Sequence, residues 1–396
     1  MIHTLNKYFH TLQELARKRD GYTALIINFS ISQFALGMLN LFGVIYIFGL
    51  GGSLETGTWY VILFFAGQRL ATLVFADLVA KFVSKVGYRW PMFVSLMLAV
   101  AKVFLLIGAG PGNLLPLIPA AILGGIAIPA YYIPFHAIFL DDDDEKRVGE
   151  QSGLLLMLGR LANVSAPVIL GLLGSFLGID AMFLVAIFVL LVSAIPLFAM
   201  KHHKRHTETY ALVKVFSFLK ENKKVFSAMT YWSVSDGIQS FLWPVYMFVV
   251  LGGYVILGVV GSIVMIANSI AIFLMGKVYD KGANKKLFLT SGVVMSATWV
   301  ARFLSTTPFS VAISDVANRF VSPLWWMKIK RQEFLRGERA DSVVFGVAHE
   351  YSISVGYIAG AALGAVVVFL GAAGWVWLSI PAVFASLYAT FLLRNE

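Results

Sequence analysis

Apolar runs of about 20 residues recur along this chain from end to end, separated by short polar segments. A helix rises 1.5 Å per residue, so about 20 predominantly apolar residues are needed to cross the hydrocarbon core of a bilayer. Twelve runs reach that length: 22–48, 57–83, 90–108, 114–140, 151–177, 181–200, 225–251, 254–279, 287–304, 309–334, 342–370 and 374–393. Lipid offers no partners to backbone amides and carbonyls, and a spanning barrel would show strict alternation. Each run is therefore expected to be a helix. Composition agrees: 59% of the 396 residues are hydrophobic and 13% charged, with a mean hydropathy of +0.81. Soluble domains average roughly 45–50% apolar and about 25% charged residues. The sequence predicts an all-α, multi-pass membrane protein.

A formal charge of +10 would suggest nucleic acid in a soluble chain. Here the cations follow membrane topology, so the expected surroundings are a lipid bilayer and no nucleic acid. Segments 49–56, 109–113, 178–180, 252–253, 305–308 and 371–373 contain no Lys or Arg. The alternate set holds Arg17, Lys18, Arg19, Lys85, Arg89, Lys146, Arg147, the basic stretches 201–224, 281–286 and 336–339, and Arg394. Positively charged loops stay in the cytoplasm, which places both termini there and the protein in a cell or inner membrane.

Residues 1–21 are followed by an apolar run too long for a cleavable signal. Leu5, Tyr8, Phe9, Leu12 and Leu15 recur at helical spacing. That pattern fits an amphipathic helix on the inner leaflet and equally an extension of the first span. The longest connection, 201–224, divides the chain into a six-helix bundle over 22–200 and a second over 225–396. Its His202, His203 and His206 read as part of a solvated basic flank, and no metal site is expected. The chain has no cysteine, which excludes disulfides, thiolate metal sites and a cysteine nucleophile. A phosphate-cradling Gly-x-x-x-x-Gly-Lys-Ser/Thr sequence is missing too, so ATP is not the drive and no cofactor is expected.

A short internal match supports duplication. Trp232, Ser233, Val234, Ser235 and Asp236 lie in the seventh run; Phe29, Ser30, Ile31, Ser32 and Gln33 lie in the first. In register both read aromatic, Ser, β-branched, Ser, then a long polar side chain.

The loop between runs eight and nine carries Gly276, Asp280, Lys281, Gly282, Lys285 and Lys286. With twelve spans and a basic central loop, it resembles the signature of the major facilitator superfamily, Gly-x-x-x-Asp-(Arg/Lys)-x-Gly-(Arg/Lys)-(Arg/Lys), with the second Gly one place early. The matching loop after run two keeps Lys85, Gly87 and Arg89 but has Ser84 where the family has Asp. Asp77 is a poor substitute for that Asp. In the fifth run, Ala162, Ala166, Pro167 and Gly171 are similar to the small-residue motif of the family's exporters, and Gly356, Gly360 and Gly364 are the counterpart in run eleven. The exporters' Arg in run four is replaced by Ala120. The resemblance implies twelve helices in two pseudo-symmetric six-helix bundles, the major facilitator fold, working as a monomer. It also implies a gating latch at Gly276, Asp280, Lys281, Lys285, Gly87 and Arg89.

Ionisable side chains at membrane depth cost at least about 2.5–3.5 kcal/mol each, so each needs a reason. Arg69, Arg160, Asp236 and Arg319 fall near the midplane, and Glu350, beside His349, lies about two turns from the cytoplasmic end. Together with Gln33 they are the candidate substrate- or proton-binding residues. Arg69 and Arg160 are expected to bind an anion or to latch the halves through Asp236 and Glu350. Asp315 stands one turn from Arg319 and is expected to pair with it; Lys102 and Arg302 are expected to snorkel outward. Asn28, Asn40, Tyr131, Tyr132, Trp243 and Tyr246 are candidate cavity-lining residues, whereas Trp325 and Trp326 read as packing. His136 precedes the acidic run 141–145, which reads as a solvated connection.

These features predict a secondary active transporter rather than an enzyme. It would carry a small-molecule substrate by alternating access with protons or another coupling ion. The preferred expectation is proton-coupled export of amphipathic or drug-like molecules; the alternative is an organic-anion carrier. A reading from another class is a membrane enzyme for lipid-like substrates, using His136 with the acidic run or His349 with Glu350.

Overall fold

The computed structural model describes residues 21–140, most of 164–200, 210–279, 285–370 and 377–394. Arg160, Asp280, Lys281, the acidic run and the histidine-containing part of the central loop lie outside the described residues. The elements are helices α1 (Gly21–Gly49), α2 (Leu54–Val86), α3 (Arg89–Ile107), α4 (Leu117–Leu140) and α5 (Ile179–Ala194). A short helix, Ala166–Phe176, precedes α5. Then come α6 (Leu212–Glu221), α7 (Lys223–Gly237), α8 (Trp243–Leu251), α9 (Tyr254–Tyr279), α10 (Lys285–Phe303), α11 (Pro308–Gly337), α12 (Ser342–Phe369) and α13 (Ser379–Leu392). Every one of the twelve apolar runs carries helix, run seven being shared by α7 and α8. Among the described residues, seven helical segments are by themselves long and apolar enough to cross a membrane.

The burial pattern is that of helices in lipid. On α2, Leu63, Leu70, Val74 and Leu78 form an exposed apolar stripe, while Val61, Phe64, Gln68, Thr72, Ala76, Val79 and Val83 are buried on the other side. A soluble helix would expose the polar face; here polar Gln68 and Thr72 point inward and leucines point out. The core is one large apolar cluster reaching through most helices and a smaller one around Ile45, Trp243, Leu257 and Val311.

Small residues set which helices touch. A Cβ on Gly356 would lie 2.3 Å from the Thr230 carbonyl oxygen, one on Gly360 2.9 Å from that of Val234, and one on Gly364 2.5 Å from Leu242 Cδ1. The glycine stripe of α12 is thus the groove into which α7 and the turn after it are set. The fifth-run motif does the same: Pro167 and Gly171 lie against Gly258 of α9, and Ser262 of α9 donates to the Val164 carbonyl (2.7 Å) and accepts from the Val168 amide (3.2 Å).

Candidate functional site

α7 does not run straight into α8. Residues Ile238–Leu242 form a π turn, closed by the Trp243 amide donating to the Ile238 carbonyl. The cause is Pro244, at the start of α8. Its ring lacks an N–H and would clash with the carbonyl of Ser240, so the ladder is pushed into wider hydrogen bonding there. The turn splays Gln239 and Ser240 toward different neighbours, immediately after Asp236.

On one side is α12. Tyr357 follows the groove residue Gly356, and its hydroxyl donates to Asp236 Oδ2 at 2.5 Å and lies 3.3 Å from Ser240 Oγ. The Arg69 guanidinium of α2 stacks over the Tyr357 ring, 4.1 Å from its centroid. Arg69 Nη1 is also 3.9 Å from Glu350 Oε2, a carboxylate whose side chain is 2% exposed. Asp236, Tyr357, Arg69 and Glu350 therefore form one chain of contacts linking α7, α12 and α2, and Phe65 of α2 stacks on Phe241 of the π turn. A cation over an aromatic face, with the phenol bonded to a carboxylate, tightens each link through the low dielectric.

On the other side of the turn, Gln239 Oε1 accepts from Arg302 Nη1 at 3.1 Å. Arg302 also forms an ion pair with Asp315, and the indole N–H of Trp243 donates to Asp315 Oδ1 at 3.0 Å. The Arg302 guanidinium sits 4.6 Å and 4.5 Å from the ring centroids of Trp243 and Trp299. Two expectations change here. Asp315 pairs with Arg302 of α10, not with Arg319, and Arg302 is 1% exposed instead of snorkelling. Two tryptophan faces, Gln239 and a carboxylate hold the guanidinium inside the protein through its two Nη groups, which offsets the pull toward water. Lys102 also turns inward, to Gln68 Oε1 at 3.2 Å.

In the first copy of the repeat, Ser32 Oγ donates to the Phe29 carbonyl (3.0 Å), as Ser235 does to that of Trp232 (2.8 Å). Gln33 Nε2 lies 3.5 Å from the Tyr132 hydroxyl. Tyr131 donates to Asn28 Oδ1 at 2.7 Å, and the Asn28 amide donates to the Ser193 carbonyl at 2.6 Å. Asn28 and Tyr131 are buried and bonded to one another, whereas Asn40 is exposed. Tyr246 donates to the Ser305 carbonyl (2.6 Å). Arg319 has its Nε buried with no hydrogen-bond partner among the described residues. Trp325 is fully buried and donates to Thr390 Oγ1 at 2.8 Å.

At the α2–α3 corner, Gly87 takes φ +80° and its amide donates to the Val83 carbonyl (2.9 Å), a left-handed stop that favours glycine. Arg89 stacks on Trp90 and Phe198, and Asp77 pairs with Lys81 at 2.6 Å. Outside the spans, burial and then the Asp77 charge push the Tyr210 hydroxyl above its ordinary range. Of the corresponding loop, Gly276 lies in the last turns of α9, Asp280 and Lys281 lie outside the described residues, and Lys285 opens α10.

Sequence reasoning missed Tyr357 and Gln239. The signals were there: a tyrosine beside a groove glycine, and a proline inside the run that holds Asp236.

The family model for the Major Facilitator Superfamily matches residues 25–327. The chain belongs to the Major Facilitator Superfamily. Two similar solved structures are of transporters named FucP. One, of a variant of the E. coli fucose:proton symporter, has a TM-score of 0.67 at 12% identity, over 95% of this chain and 98% of that one. The other, in the outward conformation, has a TM-score of 0.68 at 13% identity with the same coverage. At that identity the likeness shows a shared fold, and that fold is the major facilitator fold. No protein with a curated description matches the chain. This superfamily member is thus an integral, multi-pass, all-α membrane protein.

Proposed function

We propose that this superfamily member is a proton-coupled secondary transporter that moves amphipathic organic molecules outward by alternating access between two six-helix halves. The observation that carries the reading is the Asp236–Tyr357–Arg69 contact chain. A carboxylate at membrane depth, held by a phenol on whose ring a guanidinium is stacked, is a group placed to receive a proton or a cationic substrate. The π turn beside it supplies a joint where the helix can re-pair its backbone. Arg69 links α2 to both Tyr357 and Glu350 of α12, so a change of charge at Asp236 is felt at the contact between the halves. Export is the direction favoured by the small-residue motif at Pro167 and Gly171, packed on Gly258.

A second reading, an organic-anion carrier, is favoured by Arg319, whose buried Nε has no hydrogen-bond partner among the described residues. Arg69 and Arg302 are already engaged by carboxylates.

The test is proton movement in proteoliposomes loaded with a pH dye and challenged with lipophilic cations, organic anions and sugars. A substrate-evoked pH change with lipophilic cations, absent from protein-free vesicles, supports the export reading. A response confined to anions selects the carrier. Transport of any of these substrates with no pH change refutes proton coupling.

A further inference from the structure

Near the Leu140 end of α4 lies a second cluster of polar groups, joined to the Asp236 contact chain through Glu350. His136 of α4 and His349 of α12 face each other with ring centroids 4.3 Å apart. One ligating atom each from His136, His349 and Glu350 lie within 4.8 Å of one another, and the three residues are 7%, 3% and 2% exposed. Among the described residues, both ring nitrogens of His136 are buried with no hydrogen-bond partner, as is Glu350 Oε2. A buried imidazole without a partner is costly, and this one is surrounded by aromatic rings except where it faces His349. His349 Nδ1 is bonded to Glu333 Oε1 at 2.5 Å. A carboxylate on one imidazole nitrogen fixes the tautomer and leaves the other nitrogen to ligate, the arrangement that supports histidine in metal sites.

We propose that His136, His349 and Glu350 bind a divalent transition-metal cation of the zinc class, tying α4 to α12. Two imidazoles and one carboxylate are a ligand set that zinc accepts in tetrahedral geometry, with a fourth position left for water. Bonds of about 2.0–2.2 Å place ligand atoms about 3.4 Å apart, so the cluster closes on the ion by small side-chain rotations. Arg69 Nη1 competes for Glu350 from 3.9 Å, and the competitor at His349 is Lys330, whose Nζ lies 3.3 Å from His349 Nε2 and 3.4 Å from Glu333 Oε2. The ion displaces it from His349, leaving it on Glu333.

The experiment uses the full chain in detergent, without a polyhistidine tag and with His202, His203 and His206 replaced by Ala, so that no other histidine cluster competes. Zinc affinity is read by competition with a fluorescent chelator, and the ligands by X-ray absorption at the zinc edge. The expected result is one ion per chain with two imidazoles in its shell. Affinity should fall at least about 100-fold in His136→Gln and about 10–100-fold in Glu333→Gln, and should rise in Lys330→Met. Failure of the parent chain to bind zinc, a shell without imidazole, or unchanged affinity in His136→Gln overturns the proposal. If His136→Gln does not fold, the absorption spectrum of the parent still decides. None of these readouts depends on transport.

Discussion

Asp236 and Asp315 are both carboxylates within spanning helices, yet their neighbours give them different work. Asp315 is closed in: Arg302 and the Trp243 indole take its oxygen, and all three are buried. Breaking a buried ion pair from one side strands the other charge, at a cost of about 3–5 kcal/mol. Asp315→Asn should therefore lower the melting temperature in detergent markedly, read by tryptophan fluorescence; an unchanged transition would remove the pair from the list of structural supports. Asp236 is half-buried and accepts a hydrogen bond from a phenol of another helix. A hydrogen bond to a charged group is worth about 1.5–3 kcal/mol. Tyr357→Phe should thus slow proton-driven transport on the order of tenfold while lowering the melting temperature less than Asp315→Asn does. A large loss of stability with normal transport would make Tyr357 a packing residue.

The elements explain why these side chains meet. Without the glycine stripe, α12 could not approach α7 closely enough for Tyr357 to reach Asp236. A side chain at 356 would drive Cβ to within 2.3 Å of a backbone oxygen, and such overpacking costs about 1–3 kcal/mol. Gly356→Val should lower both thermal stability and transport, whereas Val355→Ala, on the exposed side of the same helix, should change neither. Equal behaviour of the two variants would mean that the groove does not position the site. The π turn makes the opposite prediction. Pro244→Ala restores an amide that can donate to the Ser240 carbonyl, so the turn can relax to α-helix. Stability should hold or rise while transport falls. Normal transport in a stable Pro244→Ala protein would show the turn to be incidental.

Across the whole molecule, the positions of the helices were legible because lipid allows few alternatives: a run of about 20 apolar residues has to be helical. The close contacts at Gly356, Gly360 and Gly364, and at Pro167 and Gly171, were legible for a related reason, since small residues invite another backbone. The partners of the buried charges were not. Arg319 stands four residues from Asp315, and spacing along one helix made them a natural pair. The fold instead places Trp243, Gln239 and Arg302 around Asp315, and helix rotation and neighbour choice leave no mark on a single sequence. Arg69 shows the same limit: its depth was readable, its place between Tyr357 and Glu350 was not. Contacts such as Trp59 with Phe369 near one end of the bundle, and His136 with Phe334 and Phe345 near the other, join the first six apolar runs to the last six. On the transport reading, one set at a time must open.

The most direct test of that reading compares two modes of transport in wild type and Asp236→Asn, using a substrate found in the vesicle panel. Exchange of labelled for unlabelled substrate needs the alternating movement without net proton transfer; accumulation against a pH gradient needs both. If Asp236 carries the coupling proton, Asp236→Asn keeps exchange and loses gradient-driven accumulation. If the variant still accumulates substrate under the gradient as wild type does, the proton travels elsewhere and Asp236 is not the coupling group.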